Sequence, residues 1–207
     1  MIKTEKYVKI FLVLSLFFFT FFFYGNIINF NFSIIDDHQI IQLIGSDNIF
    51  NYKDLTENLK DIFSDIINSK IRSTLIFLYV PIETFIFGDN VHYYYIFRLI
   101  ILTLFFVIIF NFSANFIGNF NAFIITIIFL LSESIHDIIS RIYVSEFIII
   151  LSLIFLLPLF FKFLKNYNES SIRNIGIGGS LVFLISCIIL IFSKESTLAL
   201  ILIPILL

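Results

Sequence analysis

The chain has 207 residues, 59% of them hydrophobic and only 14% charged, with a mean hydropathy of +1.04. A water-soluble domain of this length exposes too much surface to hide so much apolar area in one core, so the composition points to lipid as the solvent. The formal net charge of −2 offers no basic field for nucleic acid, and a single cysteine, Cys187, excludes a disulfide framework or a thiolate metal site.

At the N-terminus Lys3, Lys6 and Lys9 precede the run "IFLVLSLFFFTFFFY", an order shared with secretory signal peptides. No small-residue cleavage site follows, so the run reads as an uncleaved first span, about 7–25. Next come two acids and a histidine in "FSIIDDHQII", and then "YKDLTENLKDIFSDIINSKIR". In the latter, Leu55, Leu59, Ile62, Phe63, Ile66 and Ile67 recur at helical spacing, with Lys53, Glu57, Lys60, Asp61 and Asp65 on the other faces. That pattern predicts an amphipathic helix lying in the membrane interface. The segment "STLIFLYVPIETFIFG" is interrupted by Pro81 and Glu83 and reads as re-entrant or interfacial. Counted as a span, it would invert the topology of everything after it.

Further spans are expected over about 93–112, 117–131, 146–164 and 175–192, with a sixth starting near 197. The expected fold class is therefore all-α: a polytopic membrane helical bundle of about six spans. Residues 26–92 form its long first extracytoplasmic loop, which carries the interfacial helix.

Orientation follows from Lys and Arg near the helix ends. Lys3, Lys6 and Lys9 flank the first span, and Lys162, Lys165 and Arg173 flank the connection after the fourth. An even number of crossings separates the two groups, which places both, and the N-terminus, in the cytoplasm. The expected setting is a bacterial inner membrane. Three segments then face outward: the first loop, "SESIHDIISRIYVSE", and "SKES".

Each outer segment carries candidate chemistry beside a plainer role. Asp36 and Asp37 are adjacent, so at most one faces a buried site. One carboxylate could serve as general base, with its neighbour or His38 orienting a partner or a divalent cation. The plainer role is a helix N-cap. Glu133 and Arg141 are eight residues apart, on roughly one helical face. They could clasp two helices, or Arg141 could hold a phosphate in its forked guanidinium. Lys194 and Glu195 could contact a phosphate, or cap a turn at the water boundary with Lys194 snorkelling. Arg72 and Arg98 invite the same two readings. His136 and Asp137 have no further ligands at zinc spacing.

In chain order, "SIIDDHQII", "IRSTLIFLYVPIETFIFGDN", "SESIHDIISR" and "FSKEST" resemble the N-terminal half of GT-C class membrane glycosyltransferases. The nearest likeness is to the O-mannosyltransferase-like members, over about residues 5–207. The resemblance implies a polyprenyl-phosphate-linked sugar as donor and an acceptor protein or glycan, with Asp36 or Asp37 as general base. It places His38, Arg72, Glu133, Arg141, Lys194 and Glu195 around the lipid-linked phosphate and the acceptor. Residues 1–207 then form a single transmembrane domain, expected to be the N-terminal portion of a longer enzyme, since the apolar run "LALILIPILL" has no flanking charge. The rival is a non-catalytic membrane protein, a transporter or flippase-like subunit whose outer charges only cap helices.

Overall fold

The computed structural model describes residues 2–32, 37–45, 49–68, 76–142 and 144–168, together with 182, 184–186 and 188. Every regular element among them is helical. The α-helices are α1 (Ile2–Tyr24), α2 (His38–Ile44), α3 (Tyr52–Ile67), α4 (Ile76–Phe87), α5 (Val91–Ile117), α6 (Asn119–Leu130), α7 (Glu133–Ser140) and α8 (Ser145–Asn168). A short 3-10 stretch, Gly25–Asn29, continues α1.

Among the described residues, two segments are long and apolar enough to cross a membrane, Tyr7–Asn29 and Val91–Ile117. A third qualifies if α6 and α7, bent by 55°, count as one broken span. The apolar part of α8, Ser145–Phe160, is shorter. The described residues thus supply two or three of the six expected spans, and the fifth and sixth fall almost wholly outside them. The chain divides into two compact units: Met1–Asn26, Arg98–Asp137 and Ile150–Cys187 in one, and Ile27–Phe97, Ile138–Ile149 and Ile188–Leu207 in the other.

The first unit is built on one stripe of α1. Leu12, Leu16, Thr20 and Tyr24, four apart in sequence, are buried, whereas Phe11, Phe18 and Phe22 point outward. That is the pattern of a span with one protein-facing side and a lipid-facing remainder. Leu12 and Leu16 form a core with Phe110 of α5 and Ala122 of α6. The small Ala122 side chain lets helix backbones come close, the usual device for helix packing in lipid. Leu130 ends α6, so its carbonyl has no partner within the helix. The Tyr24 hydroxyl donates to it.

The second unit holds the short helices. Asn51 caps α3: its side chain accepts from the Lys53 and Asp54 amides while Asp54 accepts from the Asn51 amide, a complete capping box. Of the apolar arc foreseen for this helix, Leu55 is buried and Leu59, Ile62 and Ile66 are half-buried, with α3 packed on α4. Phe63 and Ile67 remain exposed and are the part left to meet an interface. α4 contains Pro81 and runs 12 residues. That is about 18 Å of helix against roughly 30 Å of hydrocarbon, so α4 alone cannot span. Gly88, at φ +61°, ends it, its amide bonding the Thr84 carbonyl at 2.8 Å. The left-handed conformation there suits glycine because it has no Cβ.

Candidate functional site

Asp37 is the centre of the polar structure in the second unit. It holds the N-cap position of α2, yet its side chain makes no capping bond there. The residue is fully buried, and its Oδ1 accepts a hydrogen bond from the Ile142 amide at 3.0 Å. The plain N-cap role therefore does not describe it. The reason lies 105 residues further along the chain. Between α7 and α8 the backbone leaves the helix, and the amides of such a break lack helical acceptors. Ile142 is buried, so its N–H needs a partner inside the protein, and Asp37 provides one.

A second tie holds the same break. Tyr95, fully buried on α5, places its hydroxyl 3.3 Å from the Ser140 carbonyl and 3.3 Å from the Asn31 carbonyl. Ser140 is the last residue of α7, and Val144 closes the turn by bonding the Ile142 carbonyl at 3.1 Å. The backbone on both sides of Arg141 is thus fixed by groups from the first loop and from α5. Arg141 itself is half-buried and follows directly on the helix end. A guanidinium carried on a pinned turn loses little freedom when its two parallel N–H groups pair with two oxygens of an anion, which suits it to phosphate.

The remaining expected residues are distributed as follows. His38 is the first residue of α2 and exposed, and Glu133 is the first residue of α7 and exposed. Asp36, Arg72, Lys194 and Glu195 lie outside the described residues. Of the expected set, the structure brings together Asp37 and the segment bearing Arg141.

Glu83 is a buried acid that the sequence marked only as a break in an apolar run. It is 2% exposed, and Tyr79, one turn earlier, donates to its Oε1 at 2.9 Å. Tyr79 also meets Phe147, which in turn meets Phe97, with ring centroids 6.3 and 6.1 Å apart. The tyrosine four residues before the acid was the available signal. Arg98, in the first unit, is fully buried inside the long apolar helix α5. Among the described residues, no group of three His, Cys, Asp or Glu side chains stands close enough to hold a metal ion.

Compared with protein-family models, with curated proteins and with solved structures, the chain matches none.

Proposed function

We propose that this chain moves a sugar from a polyprenyl-phosphate donor to an acceptor protein or glycan on the outer face of a bacterial inner membrane, its N-terminus lying in the cytoplasm. The observation that carries the reading is the hydrogen bond from the Ile142 amide to Asp37, which joins the acid-bearing first loop to the segment of Arg141. These are two of the four stretches on which the GT-C resemblance rests.

The adjacent acids then divide the work. Asp37 is a positioning residue: it spends a carboxylate oxygen on the Ile142 amide and so holds the turn that presents Arg141. Asp36 is the general base. It takes the proton of the acceptor hydroxyl as that oxygen bonds to the anomeric carbon and the bond from that carbon to the phosphate oxygen breaks. Arg141 stabilises the charge gathering on the departing polyprenyl phosphate, with Arg72 and Lys194 adding to the field. His38, Glu133 and Glu195 orient the acceptor. The bundle has about six spans.

The test uses membranes carrying the full chain and a synthetic polyprenyl-phosphate-linked, radiolabelled hexose. Release of polyprenyl phosphate should exceed that of membranes lacking the chain. Asp36→Asn should cut it ~100-fold, the low end of the usual contribution of a general base. Release equal to the control membranes sinks the reading. Orientation is checked separately: in a Cys187→Ser background, Asp89→Cys and Glu133→Cys should each react with a membrane-impermeant maleimide added outside intact cells. Reaction of either from the cytoplasmic side alone would undo the shared outer face.

A second reading, a transporter or flippase-like subunit, draws on Glu83 and Arg98, charged side chains buried within apolar helices. Such residues commonly mark ion or substrate paths. In that case Arg98→Gln abolishes transport across vesicles, and no variant releases polyprenyl phosphate.

A further inference from the structure

Three short helices of the second unit turn one face each toward a common groove of about 370 Å³, within the roughly 300–1,000 Å³ of small-molecule clefts. From α2 come Gln39, Gln42 and Leu43, at the i, i+3, i+4 spacing of one helical face. From α3 come Asn58 and Ile62, one turn apart. α4 closes the groove with Phe77, Val80 and Pro81, again at i, i+3, i+4.

The chemistry of this wall is selective. Among the described residues it contains three carboxamides and no charged side chain. Carboxamides both donate and accept, so they match a ligand edge carrying several neutral hydroxyls. Facing them, the rings of Phe77 and Pro81 and the side chains of Leu43, Ile62 and Val80 offer an apolar surface. A ligand with one hydroxylated edge and one C–H face satisfies both halves.

Two features show that the groove is not optimised for packing. The Asn58 Oδ1 is buried without a hydrogen-bond partner. An unpaired buried amide oxygen costs about 1–3 kcal/mol, which a leucine at the same place would avoid. A ligand hydroxyl reaching that oxygen could donate to it. Pro81, in turn, has no N–H to close on the Phe77 carbonyl, the bond that a helix residue normally makes there. An amide oxygen and a backbone carbonyl are thus left without the partners that an ordinary core would give them.

We infer that this groove binds the ring of a neutral hexopyranose, its hydroxyls on Gln39, Gln42 and Asn58 and its C–H face on Phe77 and Pro81. Binding there requires no transfer chemistry, so it stands or falls apart from the proposed glycosyl transfer.

The test is saturation-transfer difference NMR on the full chain in nanodiscs of phosphatidylcholine and phosphatidylglycerol. The probes are the methyl glycosides of glucose, mannose, galactose and N-acetylglucosamine, with methyl glucuronoside as the charged control. At least one neutral glycoside should receive saturation and the glucuronoside should not. Gln42→Leu and Asn58→Leu should each weaken that binding roughly fivefold, the loss expected for one neutral hydrogen bond. Because the Asn58 oxygen is unpaired in the fold, Asn58→Leu should leave the unfolding midpoint unchanged or raised. Should that variant not fold, Gln42→Leu decides alone, since its side chain is exposed. No saturation on any neutral glycoside, or equal saturation in wild type and both variants, overturns the inference. So does a phospholipid found by native mass spectrometry on the wild type and lost in the two leucine variants, for it would make the groove an acyl-chain site.

Discussion

In the first unit, three buried threonine hydroxyls are satisfied within their own helices. Thr20, Thr103 and Thr126 each donate to the carbonyl four residues back, at 2.8, 2.7 and 2.7 Å. In the second unit, polar groups tie together stretches far apart in the sequence. Asp37 reaches Ile142, Tyr95 reaches Asn31 and Ser140, and His92 Nδ1 lies 2.5 Å from the Ile28 carbonyl. The contrast is not absolute, since Thr84 bonds Val80 locally and Tyr24 reaches Leu130. It nonetheless separates two kinds of construction. A span in hydrocarbon must settle its polar groups internally because lipid offers no partners. The short helices of the second unit leave broken backbone between them, and those breaks are held by side chains from elsewhere.

Mutations that remove packing from the first unit and ties from the second put this contrast to the test. The largest effect is expected from Phe110→Ala, which empties the core shared with Leu12, Leu16 and Ala122. Denaturant titration followed by circular dichroism should register a loss of about 3 kcal/mol. An unchanged midpoint would mean that the first unit is held by the bilayer rather than by side-chain packing.

Asp37→Ala should come next, at about 2 kcal/mol, because it leaves the buried Ile142 amide without its acceptor. Asp37→Asn keeps an acceptor oxygen and should recover at least half of that loss. If Ala and Asn prove equally stable, the tie between the first loop and the break after α7 contributes nothing.

Within the second unit, Asn51→Ala dismantles the capping box of α3 and should cost ~1 kcal/mol. Hydrogen exchange at the Lys53 and Asp54 amides is the direct measurement, and exchange as slow as in the wild type would argue against the cap. The smallest effect belongs to Thr126→Val in the first unit. Its bond is local, and the Ala122 carbonyl belongs to a continuous helix, so the loss should be about 0.6 kcal/mol or less. A loss rivalling that of Asp37→Ala would erase the distinction between local and long-range satisfaction.

The helices themselves were largely legible in the residues. The apolar run after Lys9 foretold the first span, the spacing of Leu55, Leu59 and Ile62 foretold α3, and "YYYIFRLIILTLFFVIIFNF" foretold the centre of α5, because helical periodicity and hydropathy are local properties. The interruption expected at Pro81 was not found, since α4 runs unbroken through it from Ile76 to Phe87; what limits this segment is its 12-residue length. Asp37 and Arg141 were singled out from residue type and position in the chain, yet nothing local distinguished Asp37 from Asp36 or said what either touches. Glu83 passed as a mere interruption, although Tyr79 stood four residues before it.

What the sequence by itself determined is the solvent of this protein and its helical character. Enough apolar side chains stand in long enough runs that only lipid and helices can accommodate them. What only the tertiary structure decided is which polar groups meet. It chose Asp37 as the acceptor for an amide 105 residues away, gave Tyr95 two carbonyls from different stretches, and set three carboxamides against a proline-bearing helix. Such meetings depend on how separate helices pack, and packing is a property of the whole chain that no window of residues contains.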